Sequence, residues 1–113
     1  QVSLLSDTKG AEKENLNAVK FMTAHASKGL EFDTVFVVGA EEGTFPHANA
    51  LQVGTDDAIE EERRLFYVAM TRAKSKLYIT HARQKKGSDG SLQAARKSRF
   101  LFEIPRNLTE DAF

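Results

Sequence analysis

The sequence predicts an α/β fold built on a parallel strand–helix–strand unit, and three observations carry that expectation. Val35-Phe36-Val37-Val38 is an unbroken apolar run closed by Gly39, the pattern of a strand covered on both faces. Leu77-Tyr78-Ile79 is a second run, rich in strand formers and bounded by charge. Between them Leu65, Phe66, Ala69, Met70 and Ala73 recur at helical spacing and form one apolar stripe. A strand, a crossover helix and a second strand in that order imply parallel pairing.

Taken in order, residues 1–18 read as a tail and linker. Val2 to Leu5 fits the end of an element that begins elsewhere, and Ser6 to Asn17 is polar and charged. Val19-Lys20-Phe21-Met22-Thr23 starts with apolar–polar alternation and reads as a strand. The helix start lies at Asp57-Ala58-Ile59-Glu60, where consecutive acids suit the positive end of the helix dipole. Arg72, Lys74 and Lys76 crowd its other end, where cations are favoured. Gln84 to Ala95 is a Lys/Gly/Ser-rich loop, and Ser98 to Ile104 reads as a short closing helix before Pro105. Residues 19–105 are thus the domain proper and 106–113 a tail. Three strand candidates are few for an independent parallel sheet. With no initiator methionine, the chain is expected to be part of a larger α/β domain whose other strands come from segments outside it.

Composition narrows the chemistry. Lys and Arg number sixteen and Asp and Glu sixteen, so the formal net charge is zero. Without a global field, contact with nucleic acid or a membrane surface must come from a local patch. Cysteine is absent, which excludes disulfides, thiol catalysis and the commonest structural zinc ligand. No apolar run approaches the roughly 18 residues of a membrane span, and the first residues lack the layout of a secretory signal.

Strands of a parallel sheet deliver ligand-binding loops at their carboxyl ends. The segment Thr23-Ala24-His25-Ala26-Ser27-Lys28-Gly29-Leu30-Glu31-Phe32 emerges there. It concentrates hydroxyls, an imidazole, an ammonium group, a glycine and a carboxylate. Hydroxyls and backbone N–H groups suit phosphate oxygens, and a carboxylate suits a sugar hydroxyl. The competing reading is an ordinary polar loop in which Ser27 and Glu31 cap a helical turn. Arg72 is open in the same way: an arginine resting on its own helix C-terminus, or a guanidinium aimed at a phosphate held by another domain. Arg63 and Arg64 sit among Glu60, Glu61 and Glu62, where structural ion pairing is the stronger expectation.

No Gly-x4-Gly-Lys-Ser/Thr phosphate loop occurs. His25, His47 and His81 lie too far apart in sequence to form a His-x3-His metal pair. Gly87-Ser88-Asp89-Gly90-Ser91 only superficially suggests a serine-nucleophile elbow and reads better as a loop. The chain holds no self-contained catalytic constellation.

Phe21 to Phe32, with its Thr23-Ala24-His25-Ala26-Ser27-Lys28-Gly29-Leu30-Glu31-Phe32 core, resembles motif V of the UvrD/PcrA/Rep group of superfamily 1 DNA helicases. Val35 to Gly39, Glu41-Glu42-Gly43 and Phe45-Pro46-His47 resemble the stretch downstream of motif V in that family. Glu60 to Ala73, ending Met70-Thr71-Arg72-Ala73, resembles motif VI, and Ser98-Arg99-Phe100-Leu101 with Glu103-Ile104-Pro105 the end of the motor core. The resemblance covers roughly residues 19–105, with two long motifs in the right order.

It implies a RecA-like (P-loop NTPase-like) parallel sheet flanked by helices. This would be the later part of the second motor domain, lacking the phosphate loop, which belongs with the magnesium-binding acid to the first. ATP with Mg2+ would lie between the two motor domains. Glu31 would bind the ribose, and Arg72 would be the catalytic arginine finger at the γ-phosphate. Gly29 would let the backbone approach the nucleotide, and Tyr67 would pack near the cleft. Lys28 would bridge between domains. Thr23, His25 and His47 would face DNA, with a structural role for His47 left open. The implied partners are single-stranded and duplex DNA and the remaining domains of the same protein. The implied location is the cytoplasm, and the implied activity is 3′–5′ DNA unwinding driven by ATP. Two alternatives stand beside it: the motor part of a helicase–nuclease recombination subunit, and a non-catalytic nucleic-acid-binding or interaction module that kept the fold.

Overall fold

The computed structural model describes residues 17–112. The element read at Val2 to Leu5 and nearly all of the polar linker fall outside that range.

The expected parallel unit is present. Strand β1 (Phe32–Val37) pairs in parallel with β2 (Ala73–Ile79), with Val35 opposite Leu77 and Val37 opposite Ile79. Two helices make the crossover, α1 (Ala48–Val53) and α2 (Asp56–Met70). Helix α2 begins one residue before the expected Asp57. Its cap is Thr55, whose hydroxyl accepts from Ala58 N at 3.2 Å, while Asp56 and Asp57 occupy the first turn. It ends at Met70, so Ala73, Lys74 and Lys76 belong to β2 and not to the helix. The chain must already be extending there to pair with Phe32.

Helix α1 answers no sequence expectation. It is capped by the His47 ring, whose Nδ1 accepts from Asn49 N at 3.0 Å, and is closed by Gly54 at φ 71°.

Val35, Leu77 and Ile79 pack against a core of Val37, Ala40, Phe45, Phe66, Ala69 and Phe100. Phe66 meets Phe45 edge-on at 4.8 Å, and Phe100 lies 5.4 Å from Phe66, spacings at which aromatic pairs attract beyond area burial. The expected closing helix is a 3-10 helix over Arg99–Glu103, capped by Ser98. It carries Phe100 into that cluster.

Three expectations are corrected. Val19 to Thr23 pairs with no strand among the described residues, and Val19 is 82% exposed. A short apolar alternation makes a strand only where a neighbour takes up its N–H and C=O groups. The Val35–Val38 run is covered on one face, not two. Val37 is buried, but Phe36 is 56% exposed and stacks on Tyr78 with ring centroids 4.6 Å apart. Gln84 to Ala95 is not a loose loop but an antiparallel hairpin of β3 (Gln84–Lys86) and β4 (Leu92–Ala94). Its turn is pinned by Asp89, which accepts from Ser91 N at 3.0 Å.

The hairpin and the closing turn are held by two neighbouring carboxylates. Glu41, 4% exposed, accepts from Ala82 N at 2.7 Å and pairs with Lys85 at 3.2 Å. Lys85 Nζ also donates to the Thr44 hydroxyl. Glu42 accepts from Arg99 N and Nε, both at 3.0 Å, and from Nη2 at 2.7 Å. Arg63 pairs with Glu60 and, at 2.9 Å, with Glu103, and its guanidinium lies 5.4 Å from the Phe100 ring centre. The ion pairing expected of Arg63 is therefore observed.

Candidate functional site

The segment Thr23 to Phe32 and the C-terminal end of α2 meet at one corner. Residues His25–Ser27 form a single 3-10 turn that packs against α2. Its N–H groups are served locally: the Thr23 hydroxyl accepts from Ala26 N at 3.1 Å. The buried Ser27 hydroxyl donates to Ala24 O at 2.6 Å. In the competing reading Ser27 and Glu31 cap this turn; the observed side-chain bonds at it are those of Thr23 and Ser27. Gly29 comes next at φ +84°, a left-handed conformation that side chains other than glycine adopt with strain. No atom comes within 4 Å of where a Cβ on Gly29 would sit, so backbone conformation and not crowding selects glycine there.

Helix α2 delivers Arg72 to this loop. Arg72 Nε donates to Val68 O at 3.0 Å, Nη1 to Leu30 O at 3.0 Å, and Nη2 to the Thr71 hydroxyl at 3.2 Å. The Arg72 carbonyl in turn accepts from Phe32 N at 2.8 Å. One residue therefore bonds to both neighbours of Glu31, and this fixes the position of the exposed Glu31 in the chain. The first reading of Arg72, an arginine at rest on its own helix end, is seen in this geometry. The guanidinium rests on its own helix C-terminus, and it also reaches across to the loop.

Two features of the arrangement bear on its chemistry. A guanidinium has five N–H donors, and three are used here, which leaves two. All three acceptors are uncharged, and among the described residues no carboxylate pairs with Arg72. The group is positioned but not neutralised. That condition suits a fixed cation that meets an anion from outside.

The other candidate residues divide between this corner and the rest of the fold. Tyr67 lies on α2, one turn before Thr71, and is 66% exposed. Thr71 N donates to its carbonyl at 3.0 Å. His25 and Lys28 are exposed on and just after the 3-10 turn. His47 is not part of this corner. Its ring caps α1, and its backbone N donates to Glu62 on α2 at 2.6 Å. A structural role for His47 is visible in those bonds. Among the described residues no cluster of three or more His, Asp or Glu is arranged to hold a metal ion, and no helix is long and apolar enough to cross a membrane.

The corner also uses groups that the sequence did not single out. The Leu30 carbonyl is a backbone acceptor 42 residues from its donor, and no residue type announces it. The Thr71 hydroxyl was legible only as the neighbour of Arg72.

Known proteins share sequence with the chain across this region. The family model of the UvrD-like helicase C-terminal domain matches residues 1–84, which include the whole corner. The chain is 47% identical over 110 residues to the ATP-dependent DNA helicase PcrA of Staphylococcus aureus strain Mu50, across 97% of this chain and 15% of that protein. It is 46% identical over 109 residues to PcrA of Staphylococcus epidermidis strain RP62A, across 96% of this chain and 14% of the relative. The chain thus spans about 15% of the length of these relatives. With the match running through more than half of its residues, the chain belongs to the UvrD-like helicase C-terminal domain family.

Proposed function

We propose that this chain is part of an ATP-dependent DNA helicase that moves 3′ to 5′ on single strands, and that it forms one wall of the ATP cleft within a RecA-like second motor domain. The observation that carries this reading is the corner in which Arg72 bonds to both neighbours of Glu31 while keeping its charge unpaired. Family membership supports it.

In this reading Arg72 is the arginine finger. Its two remaining N–H donors meet the γ-phosphate, and its fixed positive charge stabilises the negative charge that develops on the transferring phosphoryl group. Glu31 accepts from a ribose hydroxyl, and the left-handed turn at Gly29 brings bare backbone close to the nucleotide. Tyr67, exposed on the same helix end, supplies apolar surface beside the cleft. Magnesium, when bound with ATP, neutralises phosphate charge, and its ligands are assigned to the other motor domain, as is the phosphate loop. Thr23 and His25, at the start of the same loop segment, contact DNA, with His47 further along. Because the Leu30 carbonyl holds the guanidinium, loss of the γ-phosphate would pull on the segment that carries Thr23 and His25. The neutral net charge fits a narrow track along one strand better than a broad basic surface. The partners are DNA and the remaining domains of the same protein, and the setting is the cytoplasm.

The test is Arg72→Ala in the full-length protein. ATP turnover should fall by about 10³-fold or more, the range for arginine fingers, with single-stranded DNA binding retained. Near-normal turnover would overturn the assignment. The isolated chain should hydrolyse no ATP, and mixing with the first motor domain should restore activity.

A further inference from the structure

We infer that Thr71 is a positioning residue that acts on ATP hydrolysis through Arg72, an inference that rests on the motor reading above. Thr71 is the C-terminal cap of α2, at φ −80° and ψ 2°, with its N–H on Tyr67 O. A hydroxyl has one proton to donate and can accept at its lone pairs, and here both capacities are used. Thr71 Oγ1 donates to Val68 O at 3.0 Å, which turns its lone pairs toward Arg72 Nη2 at 3.2 Å. Val68 O also accepts from Arg72 Nε at 3.0 Å. The result is a closed ring through Nε, Val68 O, Thr71 Oγ1 and Nη2. With Nη1 on Leu30 O, each guanidinium nitrogen has one anchor, and three anchors fix a plane.

Without the hydroxyl, only Val68 O and Leu30 O would remain. Two points leave an axis, about which the guanidinium can tilt away from an in-line phosphate. The competing account is local. A threonine hydroxyl often bonds back to a carbonyl one turn earlier, and the Val68 bond alone would then only finish the helix. The bond from Nη2 separates the two accounts, because it gives the hydroxyl a role that vanishes when Arg72 is absent.

The experiment uses the full-length protein with four variants: Thr71→Val, which keeps the shape and β-branch; Thr71→Ser, which keeps the hydroxyl; Arg72→Ala; and the Thr71→Val/Arg72→Ala double variant. A displacement of about 1 Å in a catalytic group can cost about 10²-fold, and the guanidinium here keeps two of its three anchors. T71V should therefore lower kcat by about tenfold, with KM for ATP within about twofold of the parent. T71S should restore kcat to within about twofold. Affinity for ADP should be unchanged in T71V, whereas ADP–aluminium fluoride, which mimics the transferring phosphoryl group, should bind about tenfold more weakly. The double variant should be no slower than R72A, as coupling through one residue requires. A parental kcat in T71V overturns the inference. So does a T71S variant as slow as T71V, or a double variant slower than R72A by the T71V factor. If R72A itself keeps its turnover, the motor reading and this inference fall together. If R72A is slow while T71V is not, only the role of Thr71 is lost.

Discussion

Arg99 and Arg72 both tie together segments far apart in the chain, and they do it with opposite chemistry. Arg99 puts Nε and Nη2 on a single carboxylate, Glu42, and its backbone N–H on the same group. Arg72 spreads its nitrogens over two backbone carbonyls and a hydroxyl. Both arrangements hold geometry, but only the first cancels charge. The Arg99 corner is finished: cation and anion satisfy one another. The Arg72 corner is built to the same mechanical standard, yet it is left electrostatically open. In a small domain with a neutral total charge, an arginine held by neutral acceptors marks a binding site better than an arginine merely exposed, because its position has been fixed without consuming its charge.

Crossed readouts should break that comparison most sharply. Phe100→Ala removes an aromatic that is 2% exposed and packed on Phe66, and should cost about 3–5 kcal/mol of stability, read as a fall in the urea midpoint of the chain. ATP turnover by the full-length variant should stay near the parent value at a temperature where it remains folded. Arg72→Ala should do the reverse, losing about 10³-fold in turnover for only about 1–2 kcal/mol of stability from its lost bonds. Equal losses of both properties in both variants would remove the distinction between framework and site.

Glu41→Ala comes next in size. It removes the charged acceptor of the Ala82 N–H and the partner of Lys85, and should cost about 1.5–3 kcal/mol, the worth of hydrogen bonds to a charged group. Faster amide exchange should be confined to β3 and β4. Loss of protection in β1 instead would show that the hairpin is anchored some other way. Gly29→Ala is smaller, about 1–2 kcal/mol, because only the left-handed backbone resists the new methyl group. Read by urea unfolding, a neutral result would mean that the turn relaxes to a negative φ.

The same contrast accounts for what the sequence disclosed. The parallel unit was legible because Val35, Val37, Leu77, Ile79 and the α2 stripe announce themselves by local periodicity, and their burial results from it. Gly29, Glu31 and Arg72 were legible as a group because they lie in two motif-like stretches with chemistry-bearing residue types. Pairing was not legible. Val19 to Thr23 has the alternation of a strand but joins no strand among the described residues, while Gln84 to Ala94 has a loop's composition and nonetheless pairs. What decides the second case lies some 40 residues away, in the Glu41 carboxylate that holds Ala82 and Lys85. Helix α1 likewise depends on an imidazole acting as a cap, a use that residue type does not advertise. The Leu30 carbonyl escapes any sequence reading, since every residue has one.

The finished corner carries its own signature in acid, with an effect smaller than those above. Burial works against the charge on Glu42, but the Arg99 side-chain hydrogen bond, the Arg99 backbone N–H and the nearby positive charges of Arg99 and Arg96 outweigh it and hold the carboxyl below its ordinary value of 4.5. A carboxyl with a depressed folded-state pKa stabilises the fold fully above its ordinary value. That contribution fades as pH falls toward and through the folded-state value. Glu42→Gln should therefore be less stable than the parent by about 1 kcal/mol at pH 7, the upper range for a partly exposed pair. The gap should hold down to about pH 5 and then close as the parent carboxyl protonates. Urea midpoints of both proteins across pH 7 to 3 would trace that convergence, and a gap that persists at pH 3 would place the stabilisation in packing instead of charge. ATP turnover of the full-length variant at pH 7 should not change, because the charge lost here was already cancelled by Arg99, whereas the charge proposed to act on phosphate sits at Arg72.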